Sequence, residues 1–328
     1  MIDAKKYALV DLHLHLDGSI SLQSARKLAK MQGIELCSED ELLKKLRVSE
    51  GCRDLCEYLE KFDFPLSLLQ TKEAIEEAVY TLCEELLKQG LVYAEIRFAP
   101  QLHRRQGLSQ QAVVESAVRG MKKSKMLSTL ILCCMRGDDL YEENITTVNC
   151  AKKFLGQGVG AIDLAGAESL YPNERFFDIF EYAKETGVPF TLHAGEADGA
   201  LSVRSAIAMG ASRIGHGVRS YEDEALLSEL AKKGIALELC PTSNLNTKVF
   251  ESLDEYPIDK FIRANVLITV NTDNMSVSNT TLAKEFEKLA FVYSFSKAEL
   301  ENIVKTALDV SFADDAIKKK AFELVKNI

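Results

Sequence analysis

Short apolar, β-rich runs recur along the chain, each closed by polar residues or glycine. They fall at 7–16 (YALVDLHLHL), 91–99 (LVYAEIRFA), 128–136 (STLILCCMR), 159–166 (VGAIDLAG), 189–194 (PFTLHA), 212–217 (SRIGHG), 235–241 (IALELCP) and 266–272 (VLITVNT). Runs apolar on both faces suit parallel strands covered by helices. Helical periodicity fills the gaps. "NERFFDIFEYAKETG" carries apolar residues at 176, 177, 179, 180 and 183, with Asn173 placed to cap it and Gly187 to end it. "YEDEALLSELAKKG" ends the same way at Gly234, and "SKAELENIV" opens on a capping box from Ser296 to Glu299. Eight strands alternating with helices predict an α/β fold, the (β/α)8 barrel. A doubly wound sheet is the alternative, but no G-x-G-x-x-G turn follows the first strand.

Two regions lie outside the repeat. Residues 20–89 hold more helices than one crossover needs, and residues 280–328 read as helices packed on the outside. No Pro/Gly/Ser-rich linker interrupts the chain, so one domain over residues 1–328 is expected. The formal charge is −9, without a basic block, which argues against nucleic acid or an anionic membrane as partner. No apolar run reaches the roughly 18 residues of a membrane span. The start, "MIDAKKYALVDLH", lacks the pattern of a signal peptide. The eight cysteines are scattered and mostly in apolar contexts, and are expected to be reduced core thiols of a cytoplasmic protein. Oligomeric state has no sequence signal.

Four of the five histidines stand at strand ends: His13 and His15 on the first strand, His193 in "TLHAGE" and His216 in "RIGHG". Residues i and i+2 of a strand share a face, so His13 and His15 point the same way. Asp273 follows the last strand in "TVNTDN". Barrel chemistry gathers at the carboxyl-terminal mouth, so these groups are expected to converge there. Imidazoles plus a carboxylate suit zinc, with His13, His15, His193 and Asp273 as ligands and His216 beside the attacking water. A bridging lysine at the end of the fourth strand, which a second metal would want, is absent from "DLAGAE", so one zinc per chain is expected. His103, in "QLHRRQG", reads as a solvated loop residue.

"HLHLDGS", "HAGE", "RIGHG", "CPTSN" and "NTDN", in this order, resemble the adenosine deaminase family of metal-dependent hydrolases. The resemblance implies hydrolytic deamination of a purine nucleoside in purine salvage: an acidified water adds to C6 and ammonia leaves. It assigns Glu196 as proton donor to N1, His216 as the group that orients or deprotonates the water, and Asp273 as a ligand that also bonds the attacking oxygen. It also implies that His15 lies beside the substrate as well as the metal, and that the Gly166 backbone N–H meets purine N3. "CPTSN" is expected to shape the loop beneath the site without a chemical role. The stripe Leu55, Tyr58, Leu59 and Phe62 in the 20–89 insertion matches a hydrophobic gate over the ribose, although such a stripe also suits a core.

Asp17 matches the residue that accepts a hydrogen bond from the ribose 5′-hydroxyl, which favours adenosine and 2′-deoxyadenosine over adenine and AMP. Its other reading is a plain Asp-Gly turn. Asn274 departs from the aspartate that many members carry against purine N7. An amide donates at any pH, whereas a carboxyl must be protonated to do so. Deaminases of adenine or of N6-modified purines are the nearest alternatives. A silent purine- or metal-binding protein is a further one, but it would be expected to have lost Glu196 or a ligand.

Overall fold

The computed structural model describes residue 4 and residues 7–326. Eight strands occur where the hydrophobic runs place them: β1 (Leu9–His15), β2 (Leu91–Phe98), β3 (Leu127–Met135), β4 (Val159–Ala165), β5 (Thr191–Ala194), β6 (Arg213–His216), β7 (Ala236–Leu239) and β8 (Ile268–Val270). All neighbouring pairs are parallel, in the orders β1-β2-β3-β4 and β5-β6-β7-β8. Two seams join these halves. Ile162 N donates to Pro189 O at 3.0 Å between β4 and β5. Beyond β8, Asp273 N donates to His13 O and His15 N to Asp273 O, both at 2.7 Å. The sheet is thus a closed (β/α)8 barrel, and the closing seam runs through three of the residues singled out above.

Strands β5–β8 are shorter than the apolar runs that predict them, and at β8 the reason is visible. Leu12 N donates to Asn271 Oδ1 at 2.9 Å, while Thr272 N and Oγ1 donate to Asp11 Oδ2 at 3.2 and 2.6 Å. Side chains replace the backbone ladder there, so the strand ends at Val270. The insertion contributes four short helices, Leu22–Met31, Glu39–Leu46, Leu55–Leu59 and Asp63–Leu68, ahead of the crossover helix Lys72–Lys88. Near the carboxyl terminus, the helix Lys297–Val310 opens on the expected Ser296–Glu299 capping box.

Three local expectations need correction. Asn173 does not cap a helix: it begins a 3-10 turn, and the α-helix proper runs Phe177–Glu185. Its buried amide instead donates to Ser202 O at 2.9 Å and accepts from Arg136 at 2.6 Å, so tertiary bonding overrides the local cap. His103 is not solvated. It is fully buried, within 2.9 Å of Leu69 O, because the insertion covers the loop. The cysteines are unpaired, as expected, but Cys37 and Cys56 are exposed and the other six are buried.

Candidate active site

The strand ends deliver the histidines to one place. His13 lies 4.5 Å from His193 and 4.9 Å from His216, and 5.3 Å from His15, between ring centroids. Asp273 Oδ1 stands 3.4 Å from both His13 Nε2 and His15 Nε2, and His15 Nε2 is 3.3 Å from His193 Nε2. One donor atom from each of His13, His15, His193 and Asp273 lies within 4.8 Å of the others. His13 Nε2 is buried and has no hydrogen-bond partner. Ligands held at ~2.0–2.1 Å from a zinc-sized ion, with a fifth position left for water, sit roughly 2.8–3.6 Å apart. The three separations fall in that range, and the orphaned nitrogen gains a partner, so the cluster fits a divalent metal.

Two carboxylates stand behind the imidazoles. Glu238 Oε2 lies 2.8 Å from His13 Nδ1, and Asp163 Oδ2 lies 2.9 Å from His193 Nδ1. A proton held on Nδ1 leaves the Nε2 lone pair facing the cluster. Arg97 ties the carboxylates together, at 2.9 Å to Asp163 and 2.8 Å to Glu238. Burial alone would raise the Glu238 carboxyl, but the charges of Arg97 and Arg213 hold it well below the usual range. Burial likewise opposes ionisation of Asp273, and the close approach of His13, then of His15 and His216, overcomes it. For His15, burial dominates and keeps the imidazole neutral.

Glu196 and His216 complete the constellation. Burial, then the charges of Asp273 and Glu168, push the Glu196 carboxyl well above the usual range, which favours its proton-bearing form. One of its oxygens accepts from Thr247 Oγ1 at 3.2 Å, and the other lies 3.5 Å from His216 Nε2. Glu168 builds the loop that carries it. Its two oxygens accept the backbone N–H groups of Gly195, Glu196, Ala197 and Asp198 at 2.6–3.1 Å. His216 and Asp273 are both held in left-handed backbone, with φ of 56° and 59°. Such a conformation costs a non-glycine residue about 1–3 kcal/mol and tends to mark functional positions.

The "CPTSN" segment has more to do than shape a loop. Asn244 Nδ2 lies 3.1 Å from His216 Nδ1, and Tyr256 donates its hydroxyl to Asn244 Oδ1 at 3.0 Å. With the amide oxygen taken by Tyr256, its N–H faces His216 Nδ1, which places the imidazole proton on Nε2. Neutrality follows from burial, which pushes the His216 pKa well down.

A cavity of about 310 Å³ opens over the cluster, lined by His15, Asp17, Gly166, His193, Glu196, His216, Asp273 and Asn274. That volume is at the lower end for small-molecule pockets. The insertion roofs it with Leu55, Tyr58, Leu59 and Phe62, so the stripe meets the cavity. Tyr58 is also core: it is buried beside Cys52 and Val277, with its hydroxyl 2.7 Å from Ser278 Oγ. Gly18 explains the turn after Asp17, because a Cβ there would stand 1.8 Å from Asn274 Oδ1. Asp17 accepts from Gly18 N at 3.1 Å, and burial raises its carboxyl to about 6.

All the expected site residues are therefore brought together. Asp163, Glu238, Arg97, Glu168 and Asn244 were not singled out from sequence. A charged residue inside an otherwise apolar strand, as in "AEIRFA" or "IALELC", is the signal that could have found the strand members.

The sequence profile of the adenosine deaminase family matches residues 8–328. The chain is 44% identical to the adenosine deaminase of Haemophilus ducreyi over 324 residues, covering 96% of this chain and 94% of that one. Among solved structures it resembles an adenine deaminase from Arthrobacter aurescens, with a TM-score of 0.85 and 25% identity, covering 98% of each chain. A zinc-bound amidohydrolase from Burkholderia ambifaria shares the fold, with a TM-score of 0.85 at 21% identity over 98% of this chain and 91% of that one. A barrel whose mouth unites three histidines, an aspartate and a buried glutamate, matched along nearly its whole length, makes this chain a member of the adenosine deaminase family.

Proposed function

We propose that the chain, acting as one domain with one zinc ion, hydrolyses adenosine and 2′-deoxyadenosine to inosine and deoxyinosine with release of ammonia. The observation that carries this reading is the buried Glu196 carboxyl, placed beside a metal-binding cluster in one cavity. The donor set of three imidazoles and one carboxylate suits zinc, the ion bound by the Burkholderia ambifaria neighbour. When bound, the metal supplies a water acidified toward a pKa of about 7.

The chain's own groups do the rest. Water adds its oxygen to C6, and its two protons end on purine N1 and on the departing ammonia. Glu196 donates to N1, which makes C6 more electrophilic as the bond forms, and it regains a proton, the second one of the water, from the C6 hydroxyl as the C6–amine bond breaks. Asp273, ionised, accepts the proton of the attacking water and passes it to the amine. His216 takes the orienting role rather than that of base, since its Nδ1 faces the Asn244 amide and its Nε2 carries the proton. The Gly166 N–H is assigned to N3, and His15 contacts the purine from the metal side. Leu55, Tyr58, Leu59 and Phe62 exclude water above the ribose. A cytoplasmic, reducing setting agrees with eight unpaired cysteines, and no described helix is long and apolar enough to cross a membrane.

Substrate choice rests on Asp17. With a pKa of about 6 it is largely ionised at neutral pH, ready to accept from the ribose 5′-hydroxyl and to repel a 5′-phosphate. The expected order of kcat/KM is adenosine well above adenine and AMP. Equal turnover of adenine or AMP would remove Asp17 from this role. A hydrogen bond to a charged group contributes about 1.5–3 kcal/mol, so Asp17→Ala should lower kcat/KM for adenosine by roughly 10- to 100-fold.

Asn274 is assigned to purine N7. Its amide lines the cavity and can donate an N–H to N7. The Asn274→Asp variant should work at low pH and lose activity as pH rises through the new carboxyl's pKa, because only the protonated form donates. Coincident alkaline limbs in the two pH–rate profiles would exclude the contact.

A further inference from the structure

Below the metal cluster, toward the amino-terminal end of the barrel, lies a second tier of charge that the reaction does not use. Arg213 of β6 is fully buried and spends its guanidinium in three directions. Nε donates to Glu238 Oε1 at 2.7 Å, one terminal nitrogen pairs with Glu95, and the other donates to Val310 O at 2.9 Å. Glu95, on β2 and equally buried, accepts the backbone N–H of Phe312. The Phe312 ring stacks on the Arg213 guanidinium, 4.0 Å from ring centroid to its central carbon. Gly160 makes room, since a Cβ there would stand 2.7 Å from Phe312 O. The segment after the helix Lys297–Val310 therefore docks on the floor of the barrel, rather than lying only on its outside.

This floor is connected to the mouth. Glu238 gives Oε1 to Arg213 and Oε2 to His13 Nδ1 and Arg97. A carboxylate gripped on both oxygens cannot rotate, so the Arg213 contact, reinforced by Thr191 Oγ1 at 3.0 Å on the same oxygen, sets the direction from which Glu238 holds the His13 ring. We infer that the carboxyl-terminal segment 310–312, with Arg213 and Glu95, forms a positioning device for the metal ligand His13, acting through Glu238 from the opposite end of the barrel. The inference rests on the reading of His13 as a ligand.

Zinc release from the loaded, full-length protein to an excess of chromogenic chelator tests it. Loss of an outer partner of a metal ligand typically weakens metal binding by about 10- to 100-fold. Arg213→Met should release zinc faster by about that factor, Arg213→Lys should recover part of the loss, and Phe312→Ala should accelerate release by a smaller factor. Phe180→Ala, which hollows the core elsewhere, should lower Tm without changing the release rate. If Arg213→Met does not fold, Arg213→Lys and Phe312→Ala decide. Release at the wild-type rate from these variants overturns the inference while leaving the ligand reading intact. Equally accelerated release from Phe180→Ala also overturns it, because general destabilisation would then explain the effect. Wild-type protein that takes up no zinc overturns the ligand reading itself.

Discussion

Glu196→Gln should bind the metal normally and lose catalytic rate by about 10²- to 10⁴-fold, the usual contribution of a positioned general acid. The substitution keeps size and the contact with Thr247 but removes the transferable proton. The prediction depends on the raised pKa of Glu196, which burial and the Asp273 charge impose. A group with such a pKa is protonated below it, so kcat/KM for the native protein should fall as pH rises through that value. The Gln variant should lack this dependence. A variant within tenfold of the native rate, with its metal retained, would take Glu196 out of the mechanism.

Asp273→Ala should have the second large effect, on metal content as well as rate. Asp273 contacts the Nε2 atoms of both His13 and His15 and supplies the one carboxylate of the cluster. Elemental analysis of the native protein should find about one divalent metal per chain, as a single four-ligand site requires. The variant should hold markedly less and show no measurable deamination at neutral pH. Two tightly bound metals in the native protein, or full metal content with full activity in the variant, would contradict the single-site account.

Much of the fold was legible because a parallel barrel strand buried on both faces reads as an unbroken apolar run. The histidines were legible for a related reason, since a polar residue at the end of such a run has few uses other than the mouth. What escaped was set by partners distant in sequence. Asn173 looks like a helix cap in its own neighbourhood, yet Arg136 and Ser202 claim its amide. His103 sits among charged residues but is sealed by the insertion. Glu238, Asp163 and Arg97 look like interruptions of strand patterns until the barrel closes and places them behind His13 and His193. Asn244 gains its part only because the loop after β7 brings it to His216. Local pattern therefore identified the residues facing the cavity, and three-dimensional closure identified those that hold them.

The most direct test of the central claim is ammonia release from adenosine by the purified protein, measured before chelation, after chelation, and after zinc is restored. The account predicts stoichiometric ammonia and inosine from the native protein, loss of activity once the metal is stripped, and recovery with zinc. Deamination that is indifferent to chelation, or zinc-loaded protein that releases no ammonia from adenosine, would contradict it.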